Sequence, residues 1–144
     1  MWGFIIALIS GALMSVQGVF NTQITKSAGI WLAAAWVQLS AFVVCVAAWF
    51  FTGRQSVSRL LLVSQKYMLI GGVMGAFITY TVIKSMERMG PAGAVLVIVI
   101  SQIAVAYLIS LLGLFGVEKV SFSWQKLLGI VVAIAGIWIF QKGK

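Results

Sequence analysis

The sequence predicts an all-α integral membrane protein with five transmembrane helices. Of its 144 residues, 62% are hydrophobic and only 8% are charged, whereas a soluble domain has about 25% charged and roughly 45–50% apolar residues. A soluble chain of this size could not bury so much apolar surface, because small domains leave much of their surface in contact with water. The apolar residues also come in runs close to the roughly 17–25 residues that cross a bilayer as a helix.

Five predicted spans, joined by short connections, make up one domain over residues 1–144. They cover residues 2–20, 30–51, 67–83, 91–115 and 124–140. The first span lacks the basic leader and small-residue cleavage site of a signal peptide, so we expect it to remain as a spanning helix. Pro91 opens the fourth span, since proline suits the first turn of a helix. Lys126 lies in the first turn of the fifth, where a lysine can extend to the interface beside Trp124.

The titratable residues exclude several classes of enzyme. The chain has no His and only two acidic residues, Glu87 and Glu118, which fall in predicted loops. Histidine-based catalysis, most zinc sites and carboxylate pairs are therefore excluded, and we expect no enzymatic activity, metal or cofactor. The single cysteine, Cys45, lies in an apolar run, so no disulfide framework is expected. The basic residues flank the apolar runs, which indicates contact with lipid headgroups and not with nucleic acid.

The basic residues divide equally between the two sides of a five-span arrangement. One side holds Lys26, Lys84, Arg88, Lys142 and Lys144, and the other holds Arg54, Arg59, Lys66, Lys119 and Lys126. Orientation normally follows an excess of Lys and Arg in cytoplasmic loops, so this balance predicts insertion in both orientations, with chance as the alternative. The balance depends on the fifth span, without which the division becomes seven to three.

The length of the chain is that of half a transporter. Many transporters pair two inverted-topology repeats, with the substrate site near the membrane midplane where the repeats meet. Five helices make one such repeat, and two oppositely inserted copies would supply the pair. The sequence therefore predicts an antiparallel homodimer.

The first predicted helix carries polar side chains along one narrow face. This face consists of Ser10, Met14, Gln17 and Asn21. Their spacings of 4, 3 and 4 residues place them together at about 100° per residue. A polar face is costly in lipid and should meet water or protein. Either a ligand-lining role or hydrogen bonding between helices would satisfy Gln17 and Asn21.

Three other spans carry candidate residues of different kinds. In the second span, Trp31 and Gln38 belong to an aromatic and polar stripe. In the third, Tyr80 offers an aromatic face and a hydroxyl beside a row of small residues that includes Gly75. In the fourth, Gln102 lies among small residues, which is more typical of contact between helices than of a ligand site.

A series of short motifs runs in order along nearly the whole chain. The first is GALMSVQGVFNT over residues 11–22, followed by GIW at 29–31, GGVMGA at 71–76, MGPA at 89–92, SQ at 101–102, GLFG at 113–116 and the glycines between 129 and 136. Together these motifs resemble the short, five-helix YdcZ-like family of the drug/metabolite transporter superfamily.

The resemblance implies a transporter half-unit in the bacterial inner membrane that pairs with itself or with a paralogous subunit. Gln17, Asn21, Trp31 and Gln102 match the family motifs. Many family members have His near the position of Gln38 and Asp near that of Ser110, and this chain has neither. The more distantly similar small multidrug resistance proteins have an intramembrane Glu, which is also missing here. These departures leave the coupling ion open.

We therefore expect a multi-pass protein that moves a small organic solute by alternating access, most simply as an exporter. The expected solute-binding residues are Ser10, Met14, Gln17, Asn21, Trp31, Gln38, Tyr80 and Gln102. Of these, Gln17 and Asn21 would hydrogen-bond the solute, and Gln102 would either support the residues that contact the solute or face the second copy. Two alternatives remain open: a dual-topology ion channel, and a structural or accessory subunit of a heteromeric transporter.

Overall fold

The regular structure of the protein is helical throughout the part of the chain that the computed structural model describes, residues 1–143. The four α-helices are α1 (Trp2–Ala28), α2 (Ile30–Phe51), α3 (Gly71–Leu112) and α4 (Trp124–Lys142). Short 3₁₀ helices cover Val57–Leu62, Lys66–Ile70 and Leu114–Gly116. A helix pairs its backbone polar groups within itself, which is why apolar segments adopt this form in lipid. The all-α prediction is confirmed.

Four helical segments within residues 1–143 are long and apolar enough to cross a membrane. They are Trp2–Ala28, Ile30–Phe51, Lys66–Leu112 and Trp124–Lys142. The prediction of a multi-pass membrane protein is therefore confirmed. The predicted third span and the predicted fourth span up to Leu112, however, lie in the single long segment that contains α3, and the last three residues of the fourth lie beyond it.

α3 contains one residue whose backbone is not helical. Gly90 has φ 74° and ψ 163°, a conformation that is essentially restricted to glycine. Pro91 follows it, and a proline has no backbone N–H to bond to the preceding turn. The predicted start of the fourth span, at residue 91, thus coincides with an interruption of α3.

A single residue, Gly29, separates α1 from α2. Its φ of 80° and ψ of 157° are again values that favour glycine. α1 continues past residue 20, where the first predicted span ends, and the threonine hydroxyls in this extension are satisfied within the helix. The hydroxyls of Thr22 and Thr25 each donate a hydrogen bond of 2.8 Å to the carbonyl four residues earlier.

The chain divides into two compact units, Met1–Arg88 and Met89–Lys144. In the first unit the buried residues come from the second half of α1, the first half of α2 and the end of the first part of α3. They are Gly18, Asn21, Thr22, Ala33, Ala34, Val37, Ile83 and Met86. Gly18 packs so closely on α3 that a Cβ added to it would lie 2.9 Å from Sδ of Met86.

In the second unit, one tyrosine ties the start of α4 to the second part of α3. The hydroxyl of Tyr107 accepts a hydrogen bond of 2.8 Å from the backbone N–H of Ser123 and donates one of 3.3 Å to its carbonyl. Ser110 is also satisfied locally, because its hydroxyl donates to the carbonyl of Ala106 at 3.0 Å. These polar groups therefore have partners within their own unit.

Candidate functional site

An open groove runs between α1 and α2 in the unit Met1–Arg88. Its volume is about 590 Å³, within the roughly 300–1,000 Å³ that is usual for small-molecule sites. From α1 the groove is lined by Leu13, Val16, Gln17, Phe20, Asn21 and Ile24. From α2 it is lined by Trp36, Val37, Ser40, Ala41, Val44 and Cys45. We call it the α1–α2 groove.

Asn21 supplies the most deeply placed polar group of the α1–α2 groove. The residue is only 6% exposed, and its amide makes no hydrogen bond to any other described residue. A buried amide normally has a partner, because leaving it unpaired costs free energy. Over residues 1–143, no side-chain N or O that is sealed from solvent lacks a partner. The Asn21 amide must therefore reach the open space of the groove.

Gln17 adds a second amide one helical turn before Asn21. Gln17 is exposed, and its amide also has no hydrogen-bond partner among residues 1–143. Ser40, which lines the groove from α2, differs in this respect. Its hydroxyl donates a hydrogen bond of 2.9 Å to the carbonyl of Val37 in the same helix. The hydrogen-bonding capacity that the groove can offer to a solute therefore comes mainly from the two amides of α1.

The remainder of the α1–α2 groove is apolar and partly aromatic. Phe20 is 63% exposed and Trp36 is 60% exposed, so both rings are open to an occupant. No charged side chain occurs among the described residues that line the groove. An apolar cavity with a few well-placed polar groups is the usual form of a site for a small organic molecule.

The sequence-predicted site residues on α2 and α3 lie in a second location. Trp31 and Tyr80 stack on each other, with their ring centroids 4.9 Å apart and their planes 21° from parallel. Gln38 lies against Gly75, since a Cβ added to that glycine would be 2.7 Å from Nε2 of Gln38. We call these four residues the α2–α3 contact. The structure thus separates Trp31, Gln38 and Tyr80 from the α1–α2 groove.

The other predicted site residues also lie outside the lining of the α1–α2 groove. Ser10 and Met14 are exposed on α1, nearer its N-terminus. Gln102 is exposed on α3 and belongs to the unit that begins at Met89. Of the eight residues expected to bind solute, the groove brings together Gln17 and Asn21.

Sequence reasoning missed the wall that α2 contributes to the groove. Val37, Ala41 and Cys45 repeat every four residues, which places them on one face of α2. These modest side chains leave room beside α1, and Trp36 borders the same space. This row could have indicated the α2 wall of the groove from the sequence alone. The prediction instead followed the larger side chains of the neighbouring aromatic stripe, which lies on another face of α2.

Comparison with known proteins gives a family for the chain. The model of the family described as "Putative inner membrane exporter, YdcZ" matches residues 2–139, which is nearly the whole chain. Searches of curated proteins and of solved structures gave no significant match. The family match agrees with the membrane-length helices and confirms that the protein is a transporter and not an enzyme. The chain therefore belongs to the YdcZ family of inner membrane exporters, within the drug/metabolite transporter superfamily.

Proposed function

We propose that this protein is one half of a small-solute exporter that works by alternating access as a pair of oppositely oriented copies. In this proposal the α1–α2 groove binds the solute. The observation that supports it best is Asn21, a residue that is 6% exposed, whose amide has no partner among residues 1–143 and which borders an open groove. A polar group held unpaired in this way is expensive unless a ligand completes its hydrogen bonds.

The proposal includes five spans in one domain, with α3 crossing the membrane twice. The 42 residues of α3 are about twice the roughly 20 residues that one helix needs to cross the hydrocarbon core. Lys84, Glu87 and Arg88 occur just before Gly90, and charged residues belong at the membrane surface. Gly90 also has nearly the same φ and ψ as Gly29, which separates α1 from α2. These observations support one span on each side of Gly90.

Two features support pairing of oppositely oriented copies. With five spans, the ten basic residues divide five and five between the two sides, so neither orientation is favoured. Large apolar side chains also cover much of the surface of the described chain, as at Leu13, Phe42 and Phe77. Such surfaces can contact lipid or a second subunit, and a pair would supply the two inverted repeats that transporters use.

Reporter fusions test the orientation. A C-terminal fluorescent protein that matures only in the cytoplasm and a C-terminal phosphatase that is active only outside should both give signal at native expression. Activity of only one fusion would contradict dual topology. As a control, two lysines added beside Lys142 should bias the population towards one orientation, because they break the balance of basic residues.

Flux and melting measured on the same purified variants test the site. Wild-type protein in liposomes is assayed for saturable flux of radiolabelled indole-3-acetamide, tryptamine and indole-3-acetate above the leak of protein-free liposomes. If Gln17 holds the solute, Gln17→Ala should weaken binding by about 1–3 kcal/mol. A lower melting temperature with undiminished flux per molecule would instead make Gln17 structural.

The same preparation separates the two alternative functions. A channel would give channel-like conductance in a planar bilayer, since a continuous pore needs no change of access. An accessory subunit would give no flux of any of the three solutes from the purified chain alone. Channel-like conductance would contradict the proposed exporter, and so would flux that appears only when a second, different protein is added.

A further inference from the structure

We infer that the α1–α2 groove selects uncharged solutes that combine a flat apolar body with a group, such as a primary amide, that both donates and accepts hydrogen bonds. This inference rests on the proposed function, because it assigns a substrate class to the proposed site. It follows from three properties of the groove: its charge, its hydrogen-bonding groups and its rings.

The surroundings of the α1–α2 groove offer no counter-charge to an ionic solute. Among the described residues that line it, none carries a charge, and α2 contains no Asp, Glu, Lys, Arg or His at all. In α1 the first charged residue is Lys26, beyond the groove-lining part of that helix. An ion that enters would lose hydration without gaining an opposite charge, which is costly for cations and anions alike. The groove therefore favours neutral solutes.

The two amides define the polar part of the preferred solute. Asn21 and Gln17 each present an NH₂ donor and a carbonyl acceptor, and neither has a partner among residues 1–143. They are four residues apart on one face of α1, which is about 6 Å along the helix axis. A primary amide on the solute offers the complementary donor and acceptor. A solute without such a group would leave the Asn21 amide unpaired, and sites of this kind discriminate strongly against it.

The rings of Phe20 and Trp36 define the apolar part of the preferred solute. Both are exposed within the groove and can stack on a flat hydrocarbon or aromatic body. Trp31 and Tyr80 stack on each other through one face each in the α2–α3 contact, and neither lines the groove. Those two rings therefore do not form part of an aromatic cage in the groove, and such a cage is the usual way to hold a cation without a carboxylate.

Cys45 provides a reporter of groove occupancy that does not depend on transport. It lines the α1–α2 groove and is the single cysteine of the sequence, so N-ethylmaleimide modifies the protein at one known position. The alkylation rate is measured in liposomes with neutral indole-3-acetamide, cationic tryptamine or anionic indole-3-acetate. These compounds share one ring system and differ in charge. Indole-3-acetamide should slow alkylation by about tenfold at roughly ten times its Kd, and the two ions should have little effect.

Two sets of variants test whether the change in the alkylation rate reports binding in the α1–α2 groove. Cys45→Ser combined with Ala47→Cys moves the thiol two residues along α2, to a position outside the groove lining, and alkylation there should not respond to indole-3-acetamide. Asn21→Leu should abolish the protection at Cys45. If Asn21→Leu does not fold, Gln17→Ala should at least reduce that protection.

The outcomes distinguish failure of the inference from failure of the proposed function. Equal or better protection by tryptamine or indole-3-acetate would overturn the selection of neutral solutes while leaving the groove as the solute site. Protection by indole-3-acetamide that persists in both the Asn21 and the Gln17 variants would overturn the role of the amides. Protection by none of the three compounds would overturn the inference, and if liposome flux were still present it would also remove the groove from the proposed transport site.

Discussion

The two faces of α2 show that similar side chains can have opposite relations to their surroundings. In the α2–α3 contact, one face of Trp31 stacks on Tyr80 and the amide of Gln38 lies against Gly75. In the α1–α2 groove, Trp36 and Asn21 border open space, Trp36 stacks on no other ring and the amide of Asn21 has no partner among the described residues. A polar or aromatic residue in a membrane helix therefore indicates a ligand site when it borders open space that a solute can fill. Its chemical type alone does not.

The largest effect on stability is expected where the α2–α3 contact has no space. Gly75→Leu should reduce the free energy of unfolding by about 1–3 kcal/mol, because its side chain would overlap Gln38 and force α2 and α3 apart. Thermal unfolding in mild detergent measures this change. The matched control is Gly72→Leu, three residues earlier in α3, where an added Cβ would meet no atom within 4 Å.

The control should retain the stability of the wild type or exceed it, since Leu favours a helix more than Gly does by about 1 kcal/mol. Equal losses in the two variants would contradict the close packing of Gln38 on Gly75. They would then reflect a property that both glycines share, such as an interface with a second copy.

A smaller effect should come from the stacked rings of the same contact. In a double-mutant cycle of Trp31→Leu and Tyr80→Leu, the coupling energy should be about 0.5–1.5 kcal/mol, as is usual for an aromatic pair. Flux per folded molecule should change little if the rings only join α2 to α3. A loss of flux without a coupling energy would instead place these rings in the solute path, as the sequence predicted.

The single ion pair between side chains in the described part of the chain should contribute still less to stability. Glu87 and Lys84 lie 2.9 Å apart and are both partly exposed, and such pairs contribute about 0–1 kcal/mol. Glu87→Gln should therefore leave flux and its pH dependence unchanged, because this carboxylate does not line the α1–α2 groove. Abolished flux, or a shifted pH profile, would show that Glu87 takes part in coupling.

The smallest effect is expected within the groove itself, at Ser40. Its hydroxyl is already bonded to the carbonyl of Val37, so Ser40→Ala should leave both flux and melting close to those of the wild type. Asn21→Ala, which removes an unpaired group from the same groove, should lower flux. Equal losses of flux in the two variants would contradict the distinction between satisfied and unsatisfied groups.

The extent of the helices could be predicted because hydropathy and glycine positions determine it. The predicted second span, residues 30–51, coincides with α2, and the predicted start at residue 124 coincides with that of α4. α1 extends beyond its predicted span, and hydroxyls in this extension, such as that of Thr25, bond to their own helix. Apolar content alone does not reveal this local satisfaction.

Only the part of the candidate site that α1 contributes could be predicted from the sequence. The spacing of Gln17 and Asn21 along α1 identified their shared face, because polar residues stand out in an apolar helix. α2 is apolar on most of its circumference and its polar residues are few, so they do not define which face meets α1 and which meets α3. Its rotation depends on tertiary packing, for example of Gln38 on Gly75. Trp36 and Cys45 could therefore be assigned to the groove only from the structure.

The role of the Asn21 amide in holding a solute is tested most directly by the variant Asn21→Leu. Its melting temperature is measured without solute, and its flux is measured in liposomes. If the amide is held unpaired for a solute, replacing it by an apolar side chain of similar size should preserve the melting temperature or raise it, because an unpaired buried amide costs about 1–3 kcal/mol. Flux per folded molecule should be lost in the same variant. A lower melting temperature with undiminished flux would contradict this role, since Asn21 would then stabilise the fold and would not bind the solute.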